Sequence, residues 1–205
     1  ITILLNITNL IYYNPNIYIE WYYVNHELYQ YQIELINNIK NVKLIDCMKV
    51  IPKWFPLIIK EEHIKGYMIK SYALMVTELT EILLLDSDNI SLSDPTILFN
   101  NQDYQLYHNI FWSDFLFDTN SYMFTNHLLT DKDIYDKLNI NNFLNINNNR
   151  LIESGQILIN KSKLWKTICV CFYLNYHHEI TYKYFFGDKD LYYIAFQFTN
   201  QKFII

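Results

Sequence analysis

The chain has 205 residues, enough for one domain with a hydrophobic core of ordinary size. Its 16 Lys and Arg are outnumbered by 21 Asp and Glu, a formal net charge of −5 with no basic block, which argues against a nucleic-acid partner. No apolar stretch approaches the roughly 20 residues of a membrane helix, and Asn6, Thr8 and Asn9 interrupt the opening segment, so neither an anchor nor a signal peptide is read in this chain.

Ile17–Val24 is rich in β-branched and aromatic residues and predicts a strand, and spaced apolar residues predict a helix over His26–Lys40. A second strand is expected over Val42–Cys47, after which Pro52 and Pro56 interrupt regular structure. Met68, Tyr72, Met75, Val76 and Leu79 recur at helical spacing between Lys65 and Leu79, and Glu81–Leu85 follows as the central strand. Asp94-Pro95 opens a short helical turn through Phe99, while Tyr104–His108 and Phe111-Trp112 read as further strand material. The Asn-rich run Asn139–Asn149 reads as a long surface loop. Ile157–Asn160 is a buried strand candidate, followed by a helix with Trp165, Ile168, Cys169 and Phe172 on one face. Leu191, Ile194, Ala195 and Phe198 place a last helix after Gly187-Asp188-Lys189-Asp190. The alternation predicts an α/β architecture in a single domain, 1–205. Cys47, Cys169 and Cys171 fit neither a disulfide framework nor a zinc spacing and read as buried thiols.

The densest chemical signal is Ile82-Leu83-Leu84-Leu85-Asp86-Ser87-Asp88, an apolar strand ending in two aspartates one residue apart. Strand C-termini are where open α/β sheets bind ligands, and carboxylates beside an apolar strand must be paired, coordinated or solvated. A hard cation such as Mg²⁺ or Mn²⁺ fits, since it takes one or two carboxylates and completes its shell with phosphate oxygens; a turn or capping pair is the alternative. Lys70, on the helix before that strand, could neutralise a diphosphate or be an ordinary solvated lysine. Trp112 beside Asp114 suits the apolar face and hydroxyls of a sugar, or is core tryptophan with a turn aspartate. Glu153-Ser154-Gly155-Gln156 allows close backbone approach but reads first as a loop, and Asp188 and Asp190 suit helix capping. His177-His178-Glu179 carries little weight as a metal cluster. These clusters would share one pocket if the sheet is parallel through its middle.

In wording and order, Ile17–Tyr23, Gly66–Leu74, Glu81–Pro95, Phe111–Asp114, Glu153–Lys161 and Tyr184–Asp190 resemble glycosyltransferase family 71, the fungal α-mannosyltransferases typified by α-1,3-mannosyltransferases. The resemblance implies a GT-A-type nucleotide-diphospho-sugar transferase fold, a Rossmann-like mixed sheet flanked by helices, here incomplete at both ends. It implies hexose transfer, from GDP-mannose to a glycan acceptor, with retention of configuration, dependent on Mn²⁺ or Mg²⁺, in the Golgi lumen; the full-length protein would carry a membrane anchor. Carried over by residue, Asp86 would contact ribose and metal, Asp88 would ligate the metal, and Lys70 would meet the donor phosphates or sugar. Glu153, Gly155 and Gln156 would line the donor sugar, Asp188 or Asp190 would lie near the anomeric carbon, and Trp112 and Asp114 would shape the sugar and acceptor side. A non-catalytic remnant or sugar-binding module, and a haloacid dehalogenase-type phosphatase with Asp86 as nucleophile, are the rival readings.

Overall fold

The computed structural model describes residues 2–24, 27–50, 66–114, 152–182, 185 and 187–205. Helix α1 (Thr2–Tyr13) precedes strand β1 (Ile19–Tyr23), helix α2 (Gln30–Asn37) and strand β2 (Val42–Asp46); β1 and β2 pair in parallel, Ile19 opposite Val42 and Tyr23 opposite Asp46. Helix α3 (Met68–Val76) leads into β3 (Glu81–Leu85). A 3-10 turn over Pro95–Asn100, helix α4 (Gln102–Tyr107) and strand β4 (Asn109–Ser113) follow, then β5 (Ile152–Asn160), α5 (Lys161–Tyr176), α6 (His178–Thr181) and α7 (Lys189–Thr199). The expected mixed α/β architecture is present; the Asn-rich run Asn139–Asn149 lies outside the described residues.

Three local expectations change. Tyr104–His108 is not strand: Asn101 Oδ1 accepts the N–H groups of Asp103 and Tyr104 as an N-cap, and His108 ends α4 in the left-handed conformation at φ 66°. Glu153–Gln156 is not a loop but the first half of β5, the middle strand of the order β3-β5-β4. That sheet is antiparallel at both pairings, Leu85 opposite Gln156 and Trp112 opposite Glu153. Reversing β5 places its N-terminal half, not its C-terminal end, at the edge where β3 and β4 finish. The clusters therefore gather on one edge through antiparallel pairing, and not through the parallel middle on which a shared pocket was made conditional.

The abundant aromatic residues fill the core beside this sheet. Tyr72, Phe111, Phe172, Tyr192 and Phe196 are essentially buried, and Phe111 stacks on Phe203 with ring centroids 4.4 Å apart. Such ring pairs add about 0.5–1.5 kcal/mol each beyond their buried area, which helps a chain with only 3 Gly and few small side chains pack tightly. Cys47 and Cys171 are buried, Cys169 is half-buried, and all three are free thiols; burial pushes Cys47 up to about 12 and marks it as structural.

Helix α3 runs antiparallel to both β1 and β3. Near its C-terminus Thr77 Oγ1 donates to Glu20 Oε2 at 2.6 Å, at the start of β1, and near its N-terminus Lys70 meets Asp86 at the end of β3. β1 and β3 thus point the same way, yet belong to separate sheets. Between them runs a cavity of about 560 Å³, with Lys70, Asp86 and Ser87 at one end.

Candidate active site

β3 carries Asp86 to the sheet edge because its apolar residues complete the ladder and the chain then turns. Asp86 N–H donates to Gly155 O at 2.7 Å on β5, and Asn89 N–H returns to Asp86 O at 3.0 Å. Asn89 Nδ2 donates to the same Gly155 carbonyl at 2.6 Å, and Asn6 Nδ2 on α1 reaches the carbonyls of Asp86 and Ser87 at 3.4 and 3.5 Å. Held by β5 on one side and α1 on the other, this turn presents Asp88 to solvent, with no hydrogen-bond or ion-pair partner among the described residues.

Lys70 is not a solvated lysine. Its side chain is 15% exposed, and its ammonium lies 2.9 Å from each carboxylate oxygen of Asp86. It also donates to Ser154 O at 3.1 Å and Ser154 Oγ at 3.2 Å, and stands 3.9 Å from Asp188 Oδ2. Ser154 Oγ donates in turn to Asp188 Oδ1 at 3.1 Å. Asp188 is the residue before α7 but makes no side-chain cap, and its carboxylate faces Ser154 and Lys70 instead, while Asp190 lies in the first turn of the helix as an acid at that end should.

A second ion-paired group adjoins the first. Lys189 Nζ lies 2.7 Å from Asp114 Oδ2 and 3.8 Å from Glu153 Oε2, while Glu153 Oε1 accepts Gly155 N–H at 2.6 Å. Gly155 is required by proximity: a Cβ there would sit 2.9 Å from Glu153 Oε1, 3.0 Å from Asn89 Nδ2 and 3.4 Å from Asp86 Oδ2. Trp112 and Gln156 are half-buried and are placed by register, opposite Glu153 and Leu85. These candidates thus fall on or behind one edge of the β3-β5-β4 sheet, whereas His177, His178 and Glu179 lie at the junction of α5 and α6.

The candidates differ in depth. Asp188 and Asp190 are 1% and 5% exposed and lie behind the rim, whereas Asp86 is partly accessible and Asp88 exposed. Burial raises Asp188 to about 6, opposed by Lys70 and the Ser154 hydroxyl. Burial raises Asp190 to about 7, opposed by Lys189 and reinforced by Asp188 and Asp114, and its Oδ1 has no hydrogen-bond partner. Burial lowers Lys189, but Asp114 and Glu153 more than compensate and leave it raised, hence charged. Six carboxylates, those of Asp86, Asp88, Asp114, Glu153, Asp188 and Asp190, thus share the region with the ammonium groups of Lys70 and Lys189. Among the described residues no group of three or more His, Cys, Asp or Glu can hold a metal ion by itself.

Residues 4–205 match the family described as "Mannosyltransferase putative". The chain belongs to this mannosyltransferase family. This is the fungal family to which the ordered motifs pointed, and the match sets the phosphatase reading aside. Among its curated relatives are three named α-1,2-mannosyltransferases of Candida albicans. MNN23 is 27% identical over 208 residues, covering 85% of this chain and 34% of its own length. MNN22 is 27% identical over 186 residues, covering 77% and 32%, and MNN24 is 26% identical over 160 residues, covering 65% and 23%. The chain therefore spans about a third or less of the length of the relatives it matches. No helix among the described residues of this family member is long and apolar enough to cross a membrane.

Four contributors had no assigned role in the sequence reading: Asn6, Asn89, Ser154 and Lys189. Ser154 and Lys189 stood inside quoted clusters, and the signal available for them was the improbability of a polar group at an inward position of an apolar strand or helix. Asn6 was legible only as an interruption of an apolar segment, since its partners lie 80 and 81 positions away.

Proposed function

We propose that the protein is a hexosyltransferase that moves mannose from GDP-mannose to a glycan acceptor with retention of configuration, on a GT-A-type fold and in the lumen of the Golgi. One observation carries the reading: Lys70, Asp86, Ser154 and Asp188 form a connected, ion-paired cluster at a sheet edge, beside the exposed Asp88, in a chain of the mannosyltransferase family.

The residues present fit a divalent cation. Asp88 offers an exposed carboxylate two positions from Asp86, and the four carboxylates of Asp86, Asp88, Asp114 and Glu153 already outnumber the two ammonium groups, so a diphosphate would be repelled unless a cation stood between them. Asp86 and Asp88 would hold Mn²⁺ or Mg²⁺, with donor phosphate oxygens and water completing the shell. When bound, the cation supplies stabilisation of the charge that develops on the leaving diphosphate.

The side chains of this chain do the rest. Lys70, whose ammonium pairs with Asp86, contacts the donor phosphates and adds positive charge where the glycosidic bond breaks. Ser154 and Asp188 act as positioning residues, fixing that ammonium through contacts of 3.1 to 3.9 Å. Gly155 leaves room for the Asp86, Asn89 and Glu153 side chains that face the donor sugar, and the Glu153 carboxylate or Gln156 carboxamide stabilises an oxocarbenium-like centre from below the ring. Trp112, with Asp114 held by Lys189, shapes the sugar and acceptor side. Asp190 supports this wall from behind through Lys189.

The test is donor binding by calorimetry and mannose transfer to a mannoside acceptor, in the full-length protein with Mn²⁺. Wild type is expected to bind GDP-mannose only with the cation, and Asp88→Ala to lose that dependence and at least about 100-fold in turnover. Undiminished cation-dependent binding by Asp88→Ala refutes the metal assignment. Binding without turnover in the full-length protein supports the sugar-binding remnant instead.

A further inference from the structure

The first turn of α3 overhangs the site. Because α3 runs antiparallel to β3, the residues that open it project past the edge where β3 ends, and Tyr67, its N-cap, stands one helical turn outside Lys70. Tyr67 has helical dihedrals, φ −62° and ψ −24°, and side chains three apart on a helix share a face, so its ring lies on the same side of α3 as the Lys70 ammonium. Gly187 fixes the ring independently. A Cβ on Gly187 would lie 2.9, 3.1 and 3.3 Å from Cδ2, Cε2 and Cγ of Tyr67, and the next residue, Asp188, stands 3.9 Å from Lys70 Nζ. Two routes through the chain, one along α3 and one through Gly187-Asp188, thus set the same ring beside the same ammonium.

The ring is held without being covered. Gly187 backs it, Tyr182 meets it at 61° with centroids 6.4 Å apart, and Tyr67 still keeps 51% of its surface exposed. Its hydroxyl makes no hydrogen bond among the described residues. Tyr72, further along the same helix, shows what a packing tyrosine looks like here: it is fully buried, and its hydroxyl donates to Cys47 O at 3.0 Å and Val50 O at 2.6 Å. Tyr67 instead presents a fixed aromatic surface and an unengaged phenol at the mouth of the site. A ring already oriented by its neighbours gives contact area to a ligand at little entropic cost.

Position selects the ligand. In the function proposed above, the diphosphate and cation occupy Lys70, Asp86 and Asp88, and the donor sugar lies over Glu153–Gln156, all on the sheet side of Lys70. Tyr67 is on the outer side, across which the second substrate has to enter. A pyranose suits such a ring, since its C–H face packs on the aromatic surface and its hydroxyls can bond the phenol. We propose that Tyr67 is a specificity-determining residue of the acceptor site, its ring carrying a sugar of the acceptor glycan at the outer rim. This rests on the mannosyltransferase reading of the site and adds an acceptor contact from α3 to those of Trp112 and Asp114.

The test reads binding and not turnover, in the full-length protein with Mn²⁺. Mannotriose is titrated in the presence of GDP and followed by ligand-detected NMR, and GDP-mannose is titrated by calorimetry. Tyr67→Leu keeps apolar bulk against Gly187 but has no ring face; it is expected to weaken mannotriose at least about tenfold while GDP-mannose affinity moves less than about threefold. Tyr67→Phe keeps the ring and is expected to hold mannotriose within about threefold of wild type. Mannotriose affinity in Tyr67→Leu within about threefold of wild type overturns the proposal, because bulk alone then suffices. An equal loss of GDP-mannose affinity also overturns it, because the residue then acts on the donor or on the fold. The two readings fail separately. Wild type that binds GDP-mannose but no mannotriose sinks the acceptor contact alone, whereas mannotriose binding without GDP-mannose binding sinks the donor site and leaves Tyr67 to be judged on the mannotriose titrations.

Discussion

Replacing Lys70 by Met tests whether the site is an ion-paired cluster or a solvated edge. Breaking a buried ion pair costs roughly 3–5 kcal/mol because the partner charge is stranded. Here Lys70 is 15% exposed and Asp86 35%, so solvent screens part of the loss, and the expected destabilisation at pH 8 is about 2 kcal/mol. For a chain of this length that lowers Tm by about 6 °C. The pH dependence is the sharper reading. Asp188 is already raised to about 6 by burial with Lys70 holding it down, and removing Lys70 raises it further. At pH 5 Asp188 then carries a proton and strands no charge; at pH 8 it must ionise unpaired. The loss in Lys70→Met is therefore smallest near pH 5, under about 1 kcal/mol, and grows as pH rises to 8. Urea unfolding in chelator-containing buffer at both pH values measures it, and adding Asp188→Asn should recover part of the loss at pH 8. Equal losses at pH 5 and pH 8, or a loss below about 0.5 kcal/mol at pH 8, would mean that Lys70 and Asp188 are uncoupled.

Asp190 has a folded pKa of about 7, above its unfolded value, so the folded state binds the extra proton and wild-type stability falls as pH rises from about 4 through 7. Asp190→Asn should flatten that decline in thermal melts, and an unchanged slope would contradict it. Gly155 is not at positive φ, and its obstructing neighbours are the ends of flexible side chains, so Gly155→Ala should cost at most about 1 kcal/mol by urea unfolding yet cut mannose transfer at least about tenfold by displacing Asp86 and Glu153. Gly187 and Gly66 both have positive φ, 74° and 58°, but only at Gly187 would a Cβ strike another group, Tyr67 Cδ2 at 2.9 Å. Gly187→Ala should therefore destabilise by about 1 kcal/mol or more beyond Gly66→Ala in paired unfolding curves.

Much of this was legible along the chain. Glu81–Leu85 was bounded correctly from its apolar run and the aspartates that stop it, and α3 and α7 followed from helical spacing. Where local reading failed, a competing local signal had been overlooked or a distant partner decided. Tyr104–His108 looks β-prone, but Asn101 caps a helix there and Tyr104 buries its ring while its hydroxyl meets Glu81 Oε1 at 3.1 Å. Glu153–Gln156 looks like a loop because it is polar and contains glycine, yet β3 and β4 supply ladders on both sides of it.

By itself, then, the order of residues determined the strand that carries Asp86 and Asp88, the helices α3, α5 and α7 and the family to which the chain belongs, because apolar periodicity, turn chemistry and motif order are properties of short windows. Only the tertiary structure decided that β5 runs backwards, that Lys70 is held by Asp86 and Ser154 across 16 and 84 positions, and that Asp188 and Asp190 lie behind the rim. Charge pairing and desolvation depend on distance in space, and neighbours in space are set by how the sheets close, which no window of sequence contains.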